Sequence, residues 1–249
     1  ASVIAEYAAL LVALVFAARE LRKRAGHWPL ARLFRIRAYG AFFSVNANLF
    51  VRTLALMFTF FFVTAQGARL GGLVLAANAV LMNFVNLTSF ALDGIAHAAE
   101  ALVGKAVGQR NRTSLEESVR LCLKWSAYFA AGIAAVYLVA GQFLVNVLTD
   151  LPDVRGTTMT YLPWVIISPL IAVWSFLYDG VYVGATRARE MRDIMIVSTF
   201  IVFLPAWYLL QGFGNHGLWA AFTLFMASRG IGMHIGYRRK LLPAVDAPE

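Results

Sequence analysis

The stretch LDGIAHAAEALVGKAVG, residues 92–108, decides how the chain folds, because it places a turn signal inside an apolar segment. Asp-Gly usually marks a turn, yet Asp93 and Gly94 lie in a mostly apolar run from residue 73 to residue 104. That run exceeds the about 20 residues that a membrane-spanning helix needs. Because backbone groups in a bilayer must be satisfied within the segment, the helix is predicted to continue through Asp-Gly.

The composition of the chain favours a membrane protein. Hydrophobic residues make up 60% of the sequence and charged residues 14%, whereas soluble domains carry about 25% charged residues. The basic residues behind the net charge of +9 lie between apolar runs, which indicates loops facing anionic lipid and no nucleic-acid partner. The one cysteine, Cys122, excludes an intramolecular disulfide and a cysteine-based metal cluster.

Several motifs of enzymes are missing from the sequence. It contains no HExxH motif, no phosphate-binding glycine loop and no recognisable arrangement of Ser, His and Asp. We therefore expect a protein that is not an enzyme and that needs neither a metal nor a cofactor.

Seven apolar runs are predicted to cross the membrane, at residues 2–18, 42–64, 73–104, 117–148, 158–185, 192–211 and 216–237. The numbers of Lys and Arg in the connections that follow them are 7, 1, 3, 1, 3, 0 and 3. By the positive-inside rule, this alternation predicts an external N-terminus and a cytoplasmic C-terminus. The fold class is an all-α integral membrane protein. The basic first connection is either an amphipathic segment on the membrane or a solvated connector.

A polar stripe runs along the third predicted span. Asn86, Asp93 and Glu100 are spaced by seven residues, and His97 lies on the same side of the helix. An ionisable group at the bilayer centre costs about 2.5–3.5 kcal/mol, so the stripe is predicted to face other helices or a wet cavity. Five asparagines either line such a cavity or, as is more frequent in membranes, join helices; they are Asn46, Asn48, Asn78, Asn83 and Asn86.

The fifth predicted span repeats the Asp-Gly pair at Asp179 and Gly180, after two prolines that favour a kink. Small residues allow helices to approach closely. We expect such contacts at the glycines near the two aspartates, which are Gly94, Gly104, Gly108, Gly180 and Gly184.

Two arginines, Arg52 and Arg229, are predicted to lie at a depth similar to that of Asp93 and Asp179. One interpretation is that the carboxylates pair with these arginines and hold the helices together. The other is that one carboxylate binds a coupling cation or the cationic group of a substrate. The candidates for substrate or cation binding are Asp93, Asp179, Glu100, Asn86, His97, Asn83 and Asn48.

Four segments carry a resemblance to a known family: AANAVLMNF (76–84), LDGIAHAAEALVGKAVG (92–108), LYDGVYVGATRAREMRD (177–193) and GNHGLWAAFTLFMASRG (214–230). On these segments the chain resembles the multidrug and toxic compound extrusion (MATE) transporters, in their DNA-damage-inducible F (DinF) branch. The resemblance extends from about residue 32 to residue 240.

The resemblance implies an architecture of twelve helices in two six-helix lobes, of which this chain holds helices 6–12. Residues 1–20 are then the last helix of the N-terminal lobe, and residues 21–40 are a cytoplasmic linker between the lobes. Residues 41–240 form the six-helix C-terminal lobe, and residues 241–249 form a cytoplasmic tail. The rest of the N-terminal lobe is missing.

The resemblance also implies a function in a bacterial inner membrane. Family members export cationic or amphipathic organic compounds by alternating access, driven by inward flow of H⁺ or Na⁺. The expected partners are these substrates, the lipid bilayer and the missing N-terminal lobe. The alternative is a lipid-linked precursor flippase of the same broad superfamily, which we rank second because the charges within the spans nearly balance.

Overall fold

The computed structural model describes residues 2–23 and 39–246, which fall into two compact units divided after Ala41. In the first unit, helix α1 runs from Ser2 to Lys23. The basic connection at residues 24–38 lies outside the described residues, so its amphipathic character stays a prediction.

Long helices make up the second unit. They are α2 (Gly40–Arg69), α3 (Gly72–Gly108), α4 (Arg112–Leu148) and α5 (Pro152–Gly184). The next membrane segment consists of α6 (Ala188–Ile196), a π-helical stretch (Val197–Phe203) and α7 (Leu204–Leu210), closed by a 3-10 turn (Gln211–Phe213). Helix α8 (Asn215–Gly236) continues through a π-helical stretch (Tyr237–Leu241) into α9 (Leu242–Asp246).

The described residues contain helices and no strand, so the predicted all-α class is confirmed. Helix α3 continues through Asp93 and Gly94 without a turn, as bilayer physics predicts. Five segments are long and apolar enough to cross a membrane: Phe42–Arg69, Gly72–Gly108, Arg112–Leu148, Pro152–Gly184 and Ala188–Phe213. The predicted first and last spans, which are α1 and α8, are not among these five.

Helices α3 and α5 touch backbone to backbone at two glycines of α5. A Cβ atom at Gly180 would collide with the carbonyl oxygen of Ala96, and one at Gly184 with that of Glu100. Small residues at such crossings allow the two backbones to approach. The glycine prediction is therefore confirmed at Gly180 and Gly184.

The other three predicted glycines do not make so close a contact. A Cβ atom at Gly104 would lie 3.4 Å from the carbonyl oxygen of Gly184, which is ordinary contact at the same crossing. At Gly94 and Gly108 a Cβ atom would meet nothing within 4 Å, so the prediction of close contact is wrong there. Gly94 faces away from α5, whereas Gly108 lies one turn beyond Gly104, past Gly184 where α5 ends. Sequence spacing to an aspartate reveals neither.

A buried amide network joins α3 to the start of α8. Asn78 Nδ2 donates to Asn215 Oδ1 at 2.8 Å, and Asn215 Nδ2 donates back to Asn78 Oδ1 at 2.9 Å. Trp219 Nε1 donates to the same Asn78 oxygen at 2.9 Å. Buried polar groups are stable when they are bonded in this way, so the network fixes the position of α8 against α3.

Two apolar clusters lie on either side of the charged residues. Along α8, Met226 belongs to one cluster and Met233 to the other, and Arg229 falls between them. Along α2, Ala55 belongs to the first cluster and Leu49 packs against the second, with Arg52 between them. Arg52 and Arg229 are thus held at the level where the two apolar clusters meet.

Candidate functional site

Asp179 on α5 is bound by two arginines from two other helices. Arg229 Nη2 on α8 donates to Asp179 Oδ2 at 2.8 Å, and Arg52 Nη2 on α2 donates to the same oxygen. We call these three residues the ion-pair cluster. It ties together three helices that are distant in sequence.

The ion-pair cluster is buried and carries more positive than negative charge. The side chain of Arg229 is 2% exposed, that of Asp179 16% and that of Arg52 18%. The guanidinium of Arg229 also lies over the ring of Phe225, 5.4 Å from its centroid. Two cations face one anion, and an uncompensated buried charge is costly. A second anion nearby is therefore favourable.

The ion-pair cluster also retains unused hydrogen-bonding capacity. Asp179 Oδ1, Arg52 Nε and Arg229 Nε are buried and have no hydrogen-bond partner among the described residues. Unsatisfied buried groups normally have an explanation, such as a bound ion, a water or a catalytic role. The cluster can thus accept another partner.

Asp93 on α3 is the anion next to this cluster. It is half-buried, and its charge interacts with those of His97, Asp179 and Arg52. Within residues 39–246, however, no side chain forms a hydrogen bond or an ion pair with its carboxylate. The two aspartates therefore differ in their partners: two arginines bind Asp179, whereas no described side chain bonds to the carboxylate of Asp93.

The other candidate binding residues on α3 follow one face of the helix, which no other described helix covers completely. Asn83, Asn86 and His97 are exposed and Glu100 is half-buried. His97 Nδ1 lies 3.4 Å from Glu100 Oε2, and Asn83 Nδ2 donates to the carbonyl of Ala79. Together with Asp93, these side chains form what we call the polar face of α3.

Asn48 lies apart from that polar face. Its Nδ2 donates to the carbonyl of Ser44 at 2.7 Å, and its Oδ1 accepts a hydrogen bond from Arg192 Nη1 at 2.6 Å. Asn48 thus joins α2 to α6, which is one of the two roles that the sequence left open for it. The sequence does not predict this role of Arg192, because an arginine at the end of a connection fits the positive-inside pattern without any partner.

A hydrogen-bonded tyrosine–histidine pair beside Asp179 is likewise not predictable from the sequence. The hydroxyl of Tyr178 lies 2.6 Å from His234 Nδ1 and ties α5 to α8. These residues are 56 positions apart. Tyr178 lies in the segment 177–193, whereas His234 lies outside all four segments that carry the resemblance. In the described part of the chain, no group of three or more His, Cys, Asp or Glu side chains could hold a metal ion.

Comparison with known proteins assigns the chain to a family. A model of the MatE family matches residues 49–209. The DNA damage-inducible protein F of Escherichia coli K12 is 37% identical over 239 residues, which cover 96% of this chain and 52% of that protein. The probable multidrug resistance protein NorM of Rhizobium meliloti is 23% identical over 223 residues, which cover 85% of this chain and 47% of that protein.

Solved structures show the same fold. The crystal structure of the Vibrio cholerae MATE transporter VcmN in the bent form superimposes with a TM-score of 0.83 at 20% sequence identity. The match covers 94% of this chain and 54% of that protein. The chain thus spans about half the length of the curated relatives that it matches.

Proposed function

The chain belongs to the MatE family of transporters, and from that premise we propose that the full-length protein is a cation-coupled secondary antiporter. It exports cationic or amphipathic organic compounds by alternating access, and inward flow of H⁺ or Na⁺ drives the export. The relatives that support this proposal bear names that refer to multidrug resistance and DNA damage.

The chain supplies half of that transporter. We propose that residues 41–240 are the C-terminal lobe, that residues 1–20 are the last helix of the N-terminal lobe, and that residues 21–40 link the two. The protein lies in a bacterial inner membrane, with residue 1 outside and the C-terminus in the cytoplasm. The alternation of basic connections supports this orientation, and the cavity forms where the polar face of α3 meets the other lobe.

The observation that carries the proposal is the half-buried carboxylate of Asp93, which forms no ion pair with any residue that the structure describes and lies in the electrostatic field of Arg52 and Asp179. A carboxylate at this depth is costly unless something neutralises it. A proton, a sodium ion or a cationic group of a substrate can each do so. Because these occupants compete for one carboxylate, the binding of one promotes release of another, which is the requirement for exchange.

Arg52 is the residue through which binding of a cation or proton at Asp93 changes the contacts between helices. While Asp93 is charged, it attracts Arg52 and competes with Asp179 for that guanidinium. When a proton or cation neutralises Asp93, Arg52 returns fully to Asp179. A ligand shifts a conformational equilibrium only by its differential affinity for the two states, and the changed partner of Arg52 supplies that difference between helices α2 and α5.

The experiment is dye efflux by the full-length protein in membrane vesicles, with H⁺ and Na⁺ gradients imposed separately. Export that depends on one of the two gradients supports the antiporter. Absence of export under both gradients contradicts it, provided that the protein is inserted at normal levels.

The lipid-linked precursor flippase remains the second candidate, and one observation favours it. The ion-pair cluster contains two arginines for one aspartate, and an excess of buried positive charge suits an anionic substrate. The same vesicles distinguish the two functions. A flippase moves a lipid-linked anionic probe between leaflets and leaves the cationic dye in place.

A further inference from the structure

A groove of about 410 Å³ lies between α5 and α8, away from the polar face of α3. Leu170 and Trp174 form its α5 side, and Ala227, Gly230 and Ile231 its α8 side. We call it the apolar groove. Gly230 allows the two helices to touch at its base, since a Cβ atom there would lie 2.8 Å from the Cβ of Trp174.

A second cavity, of about 400 Å³, adjoins the apolar groove at the C-terminal end of α8. Arg112, Glu116 and Arg120 of α4 line it, together with Arg238 and His234. We call it the basic pocket. His234 lines both cavities, so the apolar groove and the basic pocket adjoin at this side chain.

The distance from the apolar groove to the arginines of the basic pocket matches one leaflet of a membrane. Ala227 lies on α8 and Arg238 on the π-helical stretch that continues it, and the 11 residues between them at 1.5 Å per residue span about 16 Å. Half of the hydrocarbon core of a bilayer is about 15 Å thick. Along this length the lining changes from aliphatic residues, through Trp174 and His234, to arginines. This is the order of chemistry along a phospholipid, from acyl chain to phosphate.

The basic pocket has guanidinium groups available for a phosphate. Arg112 Nε donates to Glu116 Oε1 at 2.8 Å, so this arginine is engaged within the pocket. Arg120 and Arg238 are exposed, and neither forms an ion pair with another residue that the structure describes. Guanidinium groups bind phosphate through paired, charge-assisted hydrogen bonds. Basic pockets between membrane helices at this level suit anionic lipid headgroups.

We propose that the apolar groove and the basic pocket together bind one anionic phospholipid, in the leaflet at the C-terminal end of α8. Its acyl chain lies along Trp174 and Ile231, and its phosphate lies between Arg120 and Arg238. The apolar groove is lined by α5 and α8, and the basic pocket by α4, α5 and the segment from α8 to α9. No residue of the polar face of α3 lines either cavity. The site therefore faces lipid and not the transport cavity.

The inference rests on the membrane setting of the proposed function and not on transport itself, so a binding measurement tests it separately. The full-length protein, purified in detergent, is mixed with phosphatidylglycerol, and bound lipid is counted by native mass spectrometry. The test variant is the double substitution R120Q/R238Q. The control is R239Q, which removes one positive charge at the position next to Arg238, where the side chain does not line the pocket.

We expect R120Q/R238Q to weaken phosphatidylglycerol binding by roughly thirtyfold, because each basic side chain near an anionic surface contributes a factor of about five. R239Q should bind as the unaltered protein does, and zwitterionic phosphatidylcholine should bind weakly to all three. A loss of about fivefold in R239Q would overturn the site, because it would show that any one positive charge near the surface contributes equally. Equal binding of the two lipids would also overturn it.

Two further arms identify which part of the lipid is recognised. Filling the apolar groove with Ala227→Phe should reduce lipid binding while the basic pocket stays intact. Inorganic phosphate at millimolar concentration should not displace the lipid, because it lacks an acyl chain. If phosphate displaces the lipid as readily as phosphatidylglycerol does, or if Ala227→Phe binds normally, the proposal of a whole-lipid site is wrong.

Discussion

Arg229 Nη2 lies 2.8 Å from Asp179 Oδ2, and the arginine side chain is 2% exposed. This pair joins α8 to α5 at a depth where neither charge could remain alone. Arg52 adds a second guanidinium to the same carboxylate oxygen. In the proposed mechanism Asp179 is therefore the structural carboxylate, and Asp93 is the carboxylate that binds the exchanging cation.

The substitution Asp179→Asn is expected to destabilise the protein by about 3–5 kcal/mol, because it leaves two arginines buried without their anion. Thermal unfolding of the full-length protein in detergent measures the effect. The double variant D179N/R229Q should be destabilised by less than the sum of its two single substitutions, since it removes a charge of each sign. Additive losses would show that the pair does not contribute as a unit.

Asp93→Asn is expected to behave in the opposite way. Its carboxylate forms no ion pair with a described residue, so the variant should unfold within a few degrees of the unaltered protein. Gradient-driven efflux should nevertheless fall by about tenfold or more, roughly the effect of losing 1.4 kcal/mol of coupling. Asp153→Asn makes the same chemical change at the exposed start of α5, outside the polar face of α3, and should retain efflux. Normal transport by Asp93→Asn would remove this residue from the coupling mechanism.

Gly184→Ala is expected to destabilise the contact between α3 and α5 by roughly 1–3 kcal/mol, because its Cβ would collide with the carbonyl oxygen of Glu100. Gly94→Ala is the matched substitution on α3, where a Cβ atom meets nothing within 4 Å. There the higher helix propensity of alanine should raise stability by about 0.5–1 kcal/mol. Equal effects in the two unfolding curves would contradict the helix crossing described above.

Asn78→Ala is expected to cost about 1–3 kcal/mol, because Asn215 and the indole of Trp219 would lose their buried partner. Asn83→Ala makes the same chemical change on the same helix at an exposed position. It should change the free energy of unfolding by about 0.5 kcal/mol or less. The two variants differ only in burial and partners, so similar losses would show that the amide network contributes little.

The features that can be predicted from the sequence are those that depend on residues close together in the chain. The helical class, the continuity of α3 through Asp93 and Gly94, and five of the seven predicted spans follow from hydropathy and from the need to satisfy backbone groups in lipid. Helix α8 is the instructive exception. It carries His216, Arg229 and His234, and these polar residues lower its hydropathy although its buried face packs against the rest of the bundle.

The residues of LDGIAHAAEALVGKAVG are sufficient to predict a continuous helix with a polar face and with small residues beside its charges. The partners of those charges depend on how the helices pack. Arg52 and Asp179 are 127 residues apart, and spacing along a helix specifies a face but not the side chain that meets it. The rotation of α2, α5 and α8 about their axes brings both arginines to Asp179, and the same packing leaves Asp93 without an ion pair to any described residue.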